Sequence, residues 1–172
     1  MKEALLIIDV QNDYFPGGAN PQFRALEAEA VIRRWIDNSR RNGRPILYMQ
    51  HFNGPEDSFF RPGTEGAEIS PRIAPMPEDK IIVKYAPNSF LHTDLDAHLK
   101  SLGVEKLIVC GMMTHMCVDT TVRSAMDYGY SVDLIADGCA TKDLTIGDVT
   151  IPAETVQKTY LASLSGTFAN LI

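Results

Sequence analysis

Cysteine is scarce in this chain, and the odd set Cys110, Cys117 and Cys139 offers no paired framework for a disulfide-stapled secreted domain. Three such thiols fit a reducing, cytoplasmic setting. Long apolar runs are missing as well. The N-terminal run Ala4–Ile8 is too short for a signal-peptide core and leads straight into Asp9, and no stretch approaches a membrane-spanning length. An excess of positive charge is also absent: 16 Lys and Arg stand against 22 Asp and Glu, a formal net charge of −6. That balance argues against nucleic acid or an anionic membrane as partner. No Gly-x-Gly-x-x-Gly follows a predicted strand, and no Gly-x-x-x-x-Gly-Lys-Ser/Thr occurs, so neither dinucleotide-type nor P-loop phosphate binding is encoded. Internal repeats and low-complexity tracts are lacking.

What is present is ordinary for a globular protein: 45% hydrophobic and 22% charged residues in 172 positions, enough for a single domain spanning 1–172. The periodicity predicts strands at Ala4–Val10, Ile46–Gln50, Ile81–Tyr85, Leu107–Cys110 and Ser131–Ala136, with a sixth, edge strand at Thr167–Ile172. Between them, helical spacing marks Gln22–Arg41, Asp94–Leu102, a helix that begins near Cys117 and ends near Gly129, and a last helix from Pro152 to Ser165. Asp137-Gly138 reads as a turn. The proline- and glycine-rich segment His51–Lys80 has no periodicity and reads as a long functional loop. Strands alternating with helices predict an α/β fold, a three-layer doubly wound arrangement with a mostly parallel six-stranded sheet and helices on both faces.

In such sheets, sites lie outside the carboxyl ends of the strands. Asp9 and Lys84 sit at two of those ends, and Cys117 follows shortly after a third. A cysteine in the first turn of a helix is biased toward thiolate by the unpaired N–H groups and the helix dipole. Cys117 is therefore the candidate nucleophile, Asp9 its base if partial burial raises its pKa, and Lys84 the charge that steadies both. Backbone N–H groups around Cys117 are candidates for an oxyanion site.

The residues Ile8-Asp9-Val10-Gln11-Asn12-Asp13, then Lys84, then Gly111-Met112-Met113-Thr114-His115-Met116-Cys117-Val118 resemble the isochorismatase-like cysteine hydrolases. Gly63–Glu68, Asn88-Ser89-Phe90 and Asp137–Thr141 resemble further segments of that family. The resemblance implies an Asp9–Lys84–Cys117 triad and a cis peptide before Met113, with the N–H groups of Met113 and Cys117 aimed at the oxyanion. It also implies hydrolysis of a C–N bond in a small amide or carbamoyl compound through a covalent acyl-enzyme, and assembly as a dimer or tetramer. Nicotinamidases of this kind carry an Asp-x-His metal cluster after the second strand. Here the same place reads Tyr48-Met49-Gln50-His51-Phe52, so no metal and no cofactor is expected, and His51 is taken as a pocket or loop residue. Vinyl-ether-cleaving isochorismatases often lack the nucleophilic cysteine, so Cys117 favours the amidase-like branch.

Phe15, Phe59, Phe60, Tyr85 and His115 lie on loops next to the proposed rim and are candidates for lining a small-molecule site, with Arg61 a candidate partner for a substrate carboxylate. Three other readings compete. Cys117 and Arg123 have a Cys-x5-Arg spacing, but the intervening Val118–Val122 has no glycine and contains an acid, which disfavours a phosphate cradle. A redox role for the thiol gives no work to Lys84. A binding protein of the same fold is the non-enzymatic alternative.

Overall fold

A computed structural model describes residues 1–172. Its six-stranded sheet runs in the order β3-β2-β1-β4-β5-β8, and every neighbouring pair is parallel. In chain order these are β1 (Glu3–Ile8), α1 (Ala25–Arg41), β2 (Ile46–His51), β3 (Lys80–Lys84), α2 (Leu95–Ser101), β4 (Lys106–Met112) and α3 (Asp119–Asp127). They continue with β5 (Ser131–Ala140), a small antiparallel hairpin of β6 (Leu144–Ile146) and β7 (Val149–Ile151), α4 (Ala153–Leu164) and β8 (Asn170–Leu171). No helix is long and apolar enough to cross a membrane.

The alternation of β1 explains the layers. Leu5 and Ile7 point into one core with Ala25, Ala28, Ile32 and Ile36 of α1. Ala4, Leu6 and Ile8 point into a second core with Leu95, Leu99, Val122, Ala125 and Leu164 from α2, α3 and α4. A strand buried on both faces must be apolar at every position, which is why it reads as a continuous run. The three-layer α/β architecture is thus the expected one.

The chain passes to opposite sides of β1 through β2 and β4, so the strand order reverses between β1 and β4. That reversal opens a crevice at their carboxyl ends, the usual place for a site in an open parallel sheet. Asp9 follows β1 directly, Lys84 ends β3 and pairs in register with His51 of β2, and β4 leads into the turn that carries Cys117.

Three local expectations are corrected. First, β4 does not stop at Gly111 but runs to Met112, because Gly111 takes φ of +130° and lets the strand pass close against β1. A Cβ there would sit 2.0 Å from the Ile8 carbonyl oxygen. Second, Cys117 is not in the first turn of an ordinary helix. It lies in a wide π-type turn, Thr114–Val118, in which the Val118 N–H reaches back to the Met113 carbonyl at 3.2 Å, and α3 begins only at Asp119. The predicted Asp137-Gly138 turn is also absorbed, since β5 continues through a register shift to Ala140. The β6–β7 hairpin was not anticipated, although Gly147-Asp148 between short apolar segments is a hairpin signal.

The long segment between β2 and β3 contains two single helical turns, Glu65–Ala67 and Pro71–Ile73, and is tied to the chain after β1. Gln11 Nε2 donates to the carbonyls of His51 (2.8 Å) and Ala67 (2.7 Å), and its Oε1 accepts from the His51 N–H at 2.8 Å. Asn12 Nδ2 donates to Glu65 O at 2.9 Å, while Asp13 Oδ2 accepts from the Phe60 N–H at 2.7 Å. The polar stretch 11–13 is therefore a clasp that fixes the loop over the crevice.

Gly111→Ala is expected to destabilise the protein by about 3 kcal/mol or more, since both the left-handed backbone and the contact with Ile8 would have to give. Urea unfolding measures this, and a loss under about 1 kcal/mol would show that β1 and β4 can separate freely.

Candidate active site

The structure gathers Asp9, Lys84 and Cys117 at the crevice. Lys84 Nζ stands 2.8 Å from Asp9 Oδ2 and 3.3 Å from Cys117 Sγ, and the side chains of Asp9 and Lys84 are both fully buried. Asp9 takes a left-handed backbone (φ +52°), a conformation that Asp tolerates better than most residues, as the chain turns out of β1. Lys84 Nζ also faces the carbonyls of Ala86 (3.0 Å) and Pro87 (3.4 Å) and the His51 Nδ1 at 2.8 Å. An ammonium has three protons, and here five acceptors crowd around it.

His51 joins this group more closely than a loop residue would. Its Nδ1 lies 3.5 Å from Asp9 Oδ2 and 3.8 Å from Cys117 Sγ. The sequence offered one usable signal: His51 directly follows the predicted strand Ile46–Gln50, at the same rim that selects Asp9 and Lys84. Ligand atoms of Asp9, His51 and Cys117 all lie within 4.8 Å of one another, a donor set able to hold a metal ion. Lys84 Nζ, within 3.3 Å of each of them, takes the position such a cation would need. No linear spacing reveals this set, because each member comes from a different strand end.

The electrostatics differ from expectation in two ways. Burial pushes the Asp9 carboxyl up, but the charge of the facing Lys84 ammonium outweighs it, so Asp9 ends below the ordinary carboxylate value and is ionised at neutral pH. Burial and then the Asp9 charge push the Cys117 thiol well above the ordinary thiol value, and Lys84 offsets only part of this. Cys117 thus rests as a neutral thiol beside a carboxylate, not as a thiolate made by a helix start. Neither Asp9 oxygen receives a directed hydrogen bond, despite the ion-pair distance to Lys84. The carboxylate keeps acceptor capacity for a proton.

The candidate lining residues are dispersed. Phe60 is fully buried with φ of +54°, its ring 6.1 Å from that of His51, and it packs with Phe59 and Tyr14 at 5.0 and 4.4 Å. Tyr14 is the residue that sequence reasoning passed over in favour of its neighbour. Its phenol is held protonated, first by burial and then by the charge of Asp9. Phe15 instead packs beneath the Arg72 guanidinium at 5.0 Å. Arg61 is exposed and makes no ion pair, and Tyr85, next to Lys84, is 75% exposed. His115 Nδ1 meets Thr141 Oγ1 at 2.6 Å, and its ring leans on Tyr160. The Met112–Met113 peptide is cis.

Because burial and Asp9 both disfavour the thiolate, iodoacetamide should modify native Cys117 slowly at neutral pH, and the rate should keep rising past the ordinary thiol value of 9.0. Peptide mapping of the alkylated protein against pH checks this. An inflection below that value would mean that Lys84 wins over burial.

The family model for the isochorismatase domain matches residues 3–170. The isochorismatase family protein YddQ of Bacillus subtilis is 44% identical over 176 residues, covering 99% of this chain and 96% of its own length. Among solved structures, an isochorismatase from Pseudomonas putida superposes with a TM-score of 0.93 at 38% identity, covering 98% of this chain and 86% of that one. The N-carbamoylsarcosine amidase of Thermoplasma acidophilum gives a TM-score of 0.82 at 25% identity, covering 99% of this chain and 95% of that one. With the match running from the first strand to the last, and the ordered Asp, Lys and Cys falling inside it at one crevice, the chain belongs to the isochorismatase family.

Proposed function

We propose that this protein is a cysteine hydrolase that cleaves a C–N bond in a small amide or carbamoyl compound through a covalent acyl-enzyme. The observation that carries this reading is the buried contact of Lys84 Nζ with both Asp9 Oδ2 and Cys117 Sγ. In this mechanism Cys117 Sγ attacks the carbonyl carbon as its proton passes to Asp9, whose oxygens lack directed donors. The N–H groups of Met113 and Cys117 receive the oxyanion, and Lys84 balances the negative charge as it moves between carboxylate and sulfur. Collapse of the tetrahedral adduct breaks the C–N bond, and the amine leaves with the proton that Asp9 holds. Water then attacks the thioester, giving its proton to Asp9, and Cys117 recovers its proton as the acid departs.

A resting thiol and an ionised base suit this sequence, because the proton moves only when an electrophile is in place. A vinyl-ether reading gives the buried sulfur no task. Phe59, Phe60 and Tyr14 supply an aromatic wall beside His51 for the substrate, with Phe15, Arg61, Tyr85 and His115 as outlying candidates. Three free thiols support a cytoplasmic setting. Exposed Ile146 and Val149 on the β6–β7 hairpin support self-association as a homo-oligomer, read as a dimer or tetramer.

A panel of small amides and carbamoyl compounds, with ammonia release as readout, tests the reading. Cys117→Ala should abolish turnover, and intact mass should show a thioester in the wild type. Asp9→Asn should lower the acylation rate by about 10²–10⁴-fold, the usual worth of a general base. A loss below about tenfold would assign the proton transfer elsewhere.

A further inference from the structure

The proposed mechanism leaves His51 unused, yet no side chain outside the triad stands closer to it. Lys84 Nζ approaches His51 Nδ1 at 2.8 Å. Lysine only donates, so Nδ1 must present its lone pair, and the ring proton then sits on Nε2. The alternative, an Nδ1–H donating to Asp9 Oδ2, would span 3.5 Å, too long to compete with a 2.8 Å contact. Lys84 thereby fixes the tautomer.

Nε2 makes no hydrogen bond with the protein, and it is not among the buried polar atoms that lack a partner. The imidazole retains 10% exposure, and this nitrogen is part of what meets solvent. The ring cannot easily turn. Its backbone is held at both ends by the Gln11 amide, Nδ1 is held by Lys84, and Phe60 stands against its side. A rigid N–H donor therefore looks out of a nearly closed site. Nδ1 lies 3.8 Å from Sγ, so Nε2, on the same ring, stands close to the sulfur that the hydrolase reading makes the attacking atom.

We propose that His51 contacts the substrate, its Nε2–H donating to an acceptor oxygen on the atom next to the scissile carbonyl, so that the site selects small acyl groups carrying such an oxygen. This rests on the hydrolase reading above and names the substrate class for it. An amide with a methyl group in that place would cut this donor off from water and leave it unpaired, which is the costly case in hydrogen-bond selection.

Pyruvamide and isobutyramide form a matched pair, differing in a carbonyl oxygen against a methyl. The kcat/KM ratio for the two, measured in wild type and variants, cancels most of their difference in intrinsic reactivity. His51→Asn keeps an oxygen near Lys84 but cannot reach the Nε2 position, and it should lower the ratio about tenfold or more. His51→Gln carries an N–H to that position and should hold the ratio within about threefold of wild type. An unchanged ratio in His51→Asn, or equal losses in both variants, would overturn the proposal.

Nitrogen-15 NMR of the histidine rings supplies a readout independent of turnover and of whether the His51 variants fold. The free wild-type protein should show His51 as the Nε2–H tautomer. In Cys117→Ser, pyruvamide should shift the Nε2 resonance while isobutyramide should not. An Nδ1–H tautomer, or equal shifts with both amides, would overturn the proposal. If the wild type hydrolyses neither amide while the selective shift is present, the hydrolase reading fails on this class and the His51 contact stands.

Discussion

A lysine and an aspartate, both fully buried, face each other across the carboxyl ends of the sheet, and much of the local structure exists to make that tolerable. Removing two charges from water costs several kcal/mol for each, and their attraction recovers this only with good geometry and further polar contacts. Here Ala86 O, Pro87 O and His51 Nδ1 supply those contacts to the ammonium. The carboxylate is served less completely. Its open acceptor capacity is an energetic liability and leaves room for a proton, the use that the proposed mechanism makes of it. The thiol beside them is then tuned by competition: burial and Asp9 push its pKa up, and Lys84 pulls it down without prevailing.

The sheet supplies the rigidity that this arrangement needs. In-register pairing of His51 with Lys84 places a ring nitrogen beside the ammonium without any loop having to find it. Passage of β4 against β1 at Gly111 allows the Thr114–Val118 turn to rise next to the end of β1. That turn is wound more widely than an α-helix, and wide turns of this kind frequently occur at functional sites. The second face of the crevice comes from the segment between β2 and β3, and Gln11, Asn12 and Asp13 hold it there by side-chain contacts to its backbone. Residues that read as an ordinary polar turn are thus committed to fixing the wall of the site.

Much of this was legible beforehand. Ala4–Ile8 is apolar at every position because β1 is covered on both faces, and that same property makes a parallel α/β sheet readable from a single chain. Asp9, Lys84 and Cys117 stood out because strand ends in such sheets converge on one rim. Less legible were Tyr14 and the contacts of His51. Both depend on how the long loop folds back, and a loop without periodicity carries no signal of its partners.

By itself, the sequence determined the layer architecture and the identity of the three chemical groups, because hydrophobic periodicity and strand-end position are local properties of the chain. Only the tertiary structure decided their charge states. Burial and charged neighbours tens of residues away act together: the Lys84 ammonium overrides burial at Asp9, so a carboxyl expected to be raised is lowered, while burial and the Asp9 charge override Lys84 at Cys117, so a thiol expected to be ionised is neutral. It likewise decided that His51 belongs to the site, since the distance from a ring nitrogen to an ammonium on the next strand is set by register and packing.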